Sequence, residues 1–161
     1  PLVLTPSAEE DRSTLRPKEP KPPYPYQVEE VRFVNSTDGD TLAGTLTLPT
    51  SPGPHRAVVM ITGSGPQDRD ERIMNHRPFL VWADALTRLG IAVLRYDDRG
   101  TGASTGNFSE ATTADFARDV EAAVDYLRSR KEIDNQRIGL IGHSEGGIIA
   151  PMVAVSRPKD V

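Results

Sequence analysis

The residues best suited to chemistry in this sequence are Gly142-His143-Ser144-Glu145-Gly146. A serine between two such glycines can occupy a backbone turn too tight for neighbouring side chains, with its hydroxyl projected outward. A serine hydroxyl attacks a carbonyl only when a base takes its proton and N–H donors receive the charge that develops on the oxygen. Average Gly and Ser usage would produce the bare pattern in about one chain in twenty of this length, so its surroundings decide its meaning. Ile138 to Ile141 is a short apolar run suited to a buried strand, and Gly146 to Val155 is apolar enough for a buried helix. That strand–turn–helix context is the one the pattern requires, and it sets Ser144 at the positive end of a helix.

The charge on an attacked carbonyl oxygen needs two donors. One is the backbone N–H of the residue after the serine, here Glu145. The other is expected from Thr62-Gly63-Ser64-Gly65-Pro66, whose glycines let the backbone approach a substrate, with Ser64 the expected donor and Gly65 the alternative. The run Asp68, Arg69 and Asp70 either shapes the entrance for the acyl group or is a solvated charge run. Asp98 and Arg99 are candidates for touching substrate, but an arginine beside carboxylates in a loop favours fixing that loop through ion pairs.

The chain has three histidines, His55, His76 and His143. His143 is carried by the turn itself and is badly placed to act as base on its neighbour. His55 falls in a proline-rich loop at the opposite end of the sheet, while His76, in a loop ahead of a helix, is placed to line the site. The Gly100 to Gly106 loop suggests a dinucleotide site, but its third glycine is one position late for G-x-G-x-x-G and no helix opens at once. No cofactor and no metal are expected.

The elements that must position these groups follow from periodicity. Val31 and Phe33 alternate with polar residues, and after Ser36-Thr37-Asp38-Gly39 so do Leu42, Leu46 and Leu48, predicting a half-exposed antiparallel hairpin. Ala57 to Ile61 and Ile91 to Leu94 are continuous apolar runs, expected of strands covered on both faces. Pro78 at a first helical position, Phe79, Ala83, Leu86 and Leu89 on one face, and Gly90 as a stop predict one helix. Thr112 with Asp115 predicts a capped second helix carrying Phe116, Val120, Val124 and Leu127, with Arg128, Arg130 and Lys131 at its basic end. The order β-β-β-α-β-α-β-α implies an α/β fold with a mostly parallel sheet and the hairpin at one edge. Residues 1–27, with seven prolines among charged residues, read as a linker whose Leu2, Val3 and Leu4 suit the end of a strand from an upstream domain. Residues 28–161 form the folded unit.

Of 161 residues, 37% are hydrophobic and 26% charged, as in an ordinary globular domain. The net charge of -4 leaves no basic surplus for phosphates, which argues against nucleic acid as a partner. The absence of cysteine excludes disulfides, thiolate metal sites and a thiol nucleophile. No apolar run approaches the ~20 residues of a membrane helix.

Three strings carry a resemblance: Gly63-Ser64-Gly65-Pro66-Gln67-Asp68-Arg69-Asp70, Arg95-Tyr96-Asp97-Asp98-Arg99-Gly100-Thr101-Gly102-Ala103-Ser104, and Gly142-His143-Ser144-Glu145-Gly146-Gly147. From about Pro20 to the end, the chain resembles bacterial EstD-type carboxylesterases of the α/β-hydrolase superfamily, which are similar to dienelactone hydrolases and serine aminopeptidases. The resemblance implies hydrolysis of a small-molecule ester through an acyl-enzyme on Ser144, without a cofactor, and favours a periplasmic or secreted location over the cytoplasm. It also implies a truncated α/β-hydrolase fold, the first five strands and first three helices, because the triad acid and histidine follow later strands. The 161 residues alone are therefore expected to lack turnover that the intact parent has, and the last strand is expected to stand as an open edge. Serine aminopeptidase or acyl thioesterase activity is the alternative within this chemistry. A non-catalytic binding or scaffold fragment is the alternative outside it.

Overall fold

The computed structural model describes residues 18–161, so the reading of Leu2 to Leu4 as a strand end lies outside the described residues. The elements are β1 (Gln27–Val34), β2 (Thr41–Leu48), β3 (His55–Ile61), α1 (Pro78–Arg88), β4 (Ala92–Tyr96), α2 (Thr113–Arg128), β5 (Ile133–Gly142) and α3 (Gly146–Ser156). They form one five-stranded sheet in the order β1-β2-β4-β3-β5. The sheet is mixed: β2 runs antiparallel to both β1 and β4, and β4, β3 and β5 are mutually parallel. Its chain order and its hairpin at one edge are those expected.

Two apolar clusters cover the faces. On one side α1 lays Phe79 and Ala83 against Met60 and Val93. On the other, α2 contributes Val120, Val124 and Leu127 and α3 contributes Ile149 and Val153, packed on Leu46, Val59, Ile61 and Leu94. The start of α2 matches its sequence signal: Asp115 accepts a hydrogen bond from the Thr112 N–H at 2.6 Å, satisfying one of the donors a helix start leaves open. Its end comes at Arg128, so Arg130 and Lys131 lie beyond it.

Three expectations need correction. The hairpin is half exposed only at β1, where Val28 and Val34 face solvent. β2 lies between β1 and β4 and is covered on both faces, so even its alternate polar residues are buried, with Thr47 Oγ1 2.6 Å from Thr87 Oγ1 on α1. His55 is the first residue of β3 rather than part of a loop, and it is buried. β5 begins five residues before the apolar run, because Ile133 pairs with His55 across a bulge and Asp134 to Arg137 continue the strand with polar side chains facing solvent. The proline-rich stretch is also fastened at its end. Gln27 already pairs with Leu48, and the buried Tyr26 donates from its hydroxyl to Asp84 Oδ1 on α1 at 2.8 Å.

The topology makes a crevice. β3 and β5 are adjacent and parallel, with Ile61 opposite Gly142 at their carboxyl ends. The chain leaving β3 reaches α1 on one face of the sheet, while the chain leaving β5 enters α3 on the other. Loops that part in this way leave a cleft above the strand ends, the usual ligand position in open α/β sheets. β5 is one of the sheet's two outer strands, and among the described residues nothing pairs with its far side.

Candidate active site

Ser144 stands on the turn between β5 and α3 with φ 51°, in the left-handed region that side chains disfavour by about 1–2 kcal/mol. Two glycines allow the turn. A Cβ on Gly146 would overlap the Ile61 carbonyl oxygen and come within 2.7 Å of the Thr62 oxygen, and one on Gly142 would overlap the Gly146 carbonyl. The turn is pinned by the His143 N–H, which donates to Ile61 O at 3.0 Å, and by the Gly146 and Gly147 N–H groups, which donate to His143 O and Ser144 O. Ser144 is exposed. Glu145 is held sideways by Thr113 Oγ1 on α2, which donates to its carboxylate at 2.8 Å.

The loop after β3 lies against this turn, since a Cβ on Gly63 would sit 3.1 Å from Ser144 Cβ. Carboxylates hold it. Asp98 accepts from Thr62 Oγ1 at 2.7 Å with one oxygen and from the Gln67 N–H at 2.9 Å with the other. Glu71 accepts from the Gly63 N–H at 2.8 Å. The N–H groups of Ser64, Gly65 and Glu145 donate to no acceptor among the described residues. Burial pushes the Asp98 carboxyl up to about 7, against the lowering effect of the Thr62 and Gln67 hydrogen bonds and with a further push from Asp119 and Asp97.

Asp98 and Arg99 thus point to different tasks. Asp98 grips the loop beside Ser144, whereas Arg99 is buried among Asp119 at 2.7 Å, Asp38 at 2.9 Å and Asp40 at 3.6 Å, tying the loop after β4 to α2 and the hairpin turn. Burial opposes the Arg99 charge, but hydrogen bonds to Asp119 and Asp38 outweigh it and hold the guanidinium above its ordinary value. Within the charged run at 68–70, Arg69 and Asp70 are drawn into ion pairs instead of standing free in solvent. Arg69 donates to both oxygens of Asp97 and to Thr45, and Asp70 pairs with the buried Arg95. Despite the opposing effect of burial, the Arg69 hydrogen bonds hold the Asp97 carboxyl below its usual range.

His76 forms a small bridge with Ile73 through N–H···O bonds in both directions, and it lines a cavity of about 360 Å³ together with Glu71, Phe79, Trp82, Ile141 and His143. Glu71 has no place among the expected site residues. It is 2% exposed, and its Oε1 lies 2.7 Å from His143 Nδ1. Nothing near it in sequence marks it, because it follows Asp68, Arg69 and Asp70 in a run whose composition suggests solvent. No imidazole is hydrogen-bonded to Ser144 Oγ among the described residues. No cluster of histidines and carboxylates among them is arranged to hold a metal ion. None of the described helices is long and apolar enough to cross a membrane.

Comparisons with known proteins bear on the family and the fold. Residues 77–161, more than half of the chain, match the hydrolase family described as serine aminopeptidase, S33. The chain is 35% identical over 119 residues to esterase EstD of Thermotoga maritima, an alignment covering 74% of this chain and 28% of that protein. It is 32% identical over 126 residues to the uncharacterized protein YfhR of Escherichia coli, covering 78% of this chain and 41% of YfhR. The chain therefore spans less than half the length of these relatives. Among solved structures, the Pyrococcus furiosus esterase Pf2001 superposes with a TM-score of 0.66 at 26% identity, over 84% of this chain and 49% of that one. The chain belongs to the serine aminopeptidase S33 family, within the α/β-hydrolases.

Proposed function

We propose that this chain carries the nucleophile and oxyanion donors of a serine hydrolase that cleaves carboxylic esters of small molecules through an acyl-enzyme on Ser144. The observation that carries the reading is the left-handed Ser144, exposed on the β5–α3 turn, beside uncommitted N–H groups of Glu145 and Ser64. Ser144 Oγ attacks the ester carbonyl as a base takes its proton, and the Glu145 and Ser64 N–H groups, with Gly65 the alternative to Ser64, receive the oxyanion. The start of α3 adds its positive end to the same point. Collapse of the tetrahedral intermediate breaks the bond to the alcohol, which leaves with the proton. Water, deprotonated by the same base, then releases the acid and restores Ser144.

In this reading the base and its acid partner are supplied by polypeptide outside these 161 residues, in keeping with relatives of which the chain covers 28% and 41%. The family description favours a second reading, cleavage of an N-terminal amino acid by the same acyl-enzyme route. The test is made on the full-length protein. A fluorophosphonate should label one serine, located by mass spectrometry at Ser144, and p-nitrophenyl butyrate should be hydrolysed faster than aminoacyl p-nitroanilides. Labelling elsewhere would remove Ser144 from the role, and the opposite substrate preference would select the aminopeptidase.

A further inference from the structure

We infer that Glu71 is a positioning residue that sets the oxyanion loop against the turn bearing Ser144 by engaging the Gly63 N–H and the His143 imidazole with one carboxylate oxygen. The inference rests on the Ser144 reading. Glu71 Oε1 lies 2.8 Å from Gly63 N and 2.7 Å from His143 Nδ1, so a single atom links the residue that opens the loop to the residue that precedes the serine. Two costs show that the placement is enforced. The carboxylate is buried at 2% exposure, and the backbone of Glu71 is left-handed at φ 50°, a conformation that disfavours any side chain by about 1–2 kcal/mol. The Glu71 N–H helps hold it there by donating to Asp68 O at 2.8 Å.

The linkage matters because loop and turn are already in contact at Gly63. A Cβ there would stand 3.1 Å from Ser144 Cβ, 3.2 Å from Glu71 Oε1 and 3.2 Å from His143 Nδ1. Asp98 fixes the two ends of the loop, Thr62 and Gln67, to the end of β4, but it makes no bond to the turn. Glu71 supplies that bond. By occupying the Gly63 N–H it also removes this donor from competition and leaves the oxyanion to Ser64 and Gly65, whose N–H groups have no acceptor among the described residues. A misplacement of about 1 Å at such a point can cost on the order of 10²-fold in rate.

The experiment compares Glu71→Ala, Glu71→Gln and Ser144→Ala in the full-length protein, reading kcat and KM for p-nitrophenyl butyrate, affinity for phenylboronic acid and melting temperature. Boronate binds as a tetrahedral adduct on the serine and so reports the oxyanion site. Glu71→Ala should lower kcat about 10- to 100-fold with KM nearly unchanged, and weaken boronate binding by a similar factor. Glu71→Gln, which keeps an oxygen of the same reach, should recover most of both. The assignment is overturned if Glu71→Ala retains kcat within about twofold, if kcat falls while boronate affinity stays, or if Gln rescues nothing. Should Glu71→Ala not fold, His143→Phe cuts the link from the other side: kcat and boronate affinity falling together support the assignment, and unchanged kcat overturns it. Turnover surviving in Ser144→Ala would defeat the Ser144 reading itself. Turnover abolished there but intact in Glu71→Ala would defeat the Glu71 assignment alone.

Discussion

If the turn at Ser144 is shaped for reactivity at the expense of backbone comfort, replacing the serine with glycine should stabilise the protein relative to alanine while both abolish turnover. Ser144 has φ 51°, where a residue with a Cβ is disfavoured by about 1–2 kcal/mol and glycine is not. Glycine in turn leaves a more flexible unfolded chain, which costs about 0.4–1 kcal/mol. The difference favours Ser144→Gly over Ser144→Ala by roughly 0.5–1 kcal/mol, a gain not offset by lost packing because Ser144 is exposed. Urea unfolding of the two variants side by side measures it, since a shared slope would place the whole effect in the midpoint. Hydrolysis of p-nitrophenyl butyrate is followed on the same samples. Alanine as stable as glycine would refute the strained turn, and appreciable turnover in either variant would refute the nucleophile.

Two further outcomes follow from the same geometry. Gly146→Ala places a methyl group against the Ile61 and Thr62 carbonyl oxygens, and because backbone cannot rotate away, urea unfolding should register a loss of about 1–3 kcal/mol; wild-type stability would mean that α3 does not press on β3 as described. Asp98 titrates at about 7 in the folded protein against an ordinary 3.8, so between those values the native state holds a proton the unfolded chain has released. Its contribution is complete below 3.8 and lost as pH rises through about 7, at most about 4 kcal/mol. Melting temperatures of wild type and Asp98→Asn from pH 5.5 to pH 8.5, about that midpoint, should show the wild type falling more steeply with pH, and parallel curves would refute the shift.

How much of this was legible before the structure depends on the range of the interaction that fixes each residue. The helices and the central strands are legible because Phe79 and Ala83, or Val120, Val124 and Leu127, bury one helical face, and Ala57 to Ile61 is apolar throughout. The serine turn is legible because the close approach of Gly142 and Gly146 forces glycine at two fixed spacings. β2 is misread since its alternation of Thr and Leu describes a strand with one wet face, whereas Thr45 and Thr47 are buried with hydrogen bonds to Glu30 and Thr87. The start of β5 is missed because Asp134 to Arg137 face solvent and carry no apolar signal. Glu71 is missed, and the ion pairs of Arg69 and Asp70 are not foreseen, for a common reason: a charged run is solvated unless distant partners meet it, and their partners His143, Asp97 and Arg95 come from other strand ends.

Those distant partners also explain why the loop above β3 can present bare donors. An irregular segment containing glycine and proline cannot satisfy its backbone within a helix or a sheet, yet buried N–H groups rarely go without an acceptor. Side-chain carboxylates resolve this selectively. Asp98 takes the Thr62 hydroxyl and the Gln67 N–H, and Glu71 takes the Gly63 N–H, so every anchor falls at an end of the loop or where it touches the turn. Ser64 and Gly65, between those anchors, keep their N–H groups uncommitted in the cleft. Had the same loop been closed by its own backbone hydrogen bonds, its donors would have been consumed internally. Buried carboxyl groups at Asp98, just after β4, and at the left-handed Glu71 are thus what allow the loop to offer N–H groups to a substrate oxygen, and they are why substitutions at Asp98 and Glu71 should report on the site more sharply than their distance from Ser144 in sequence suggests.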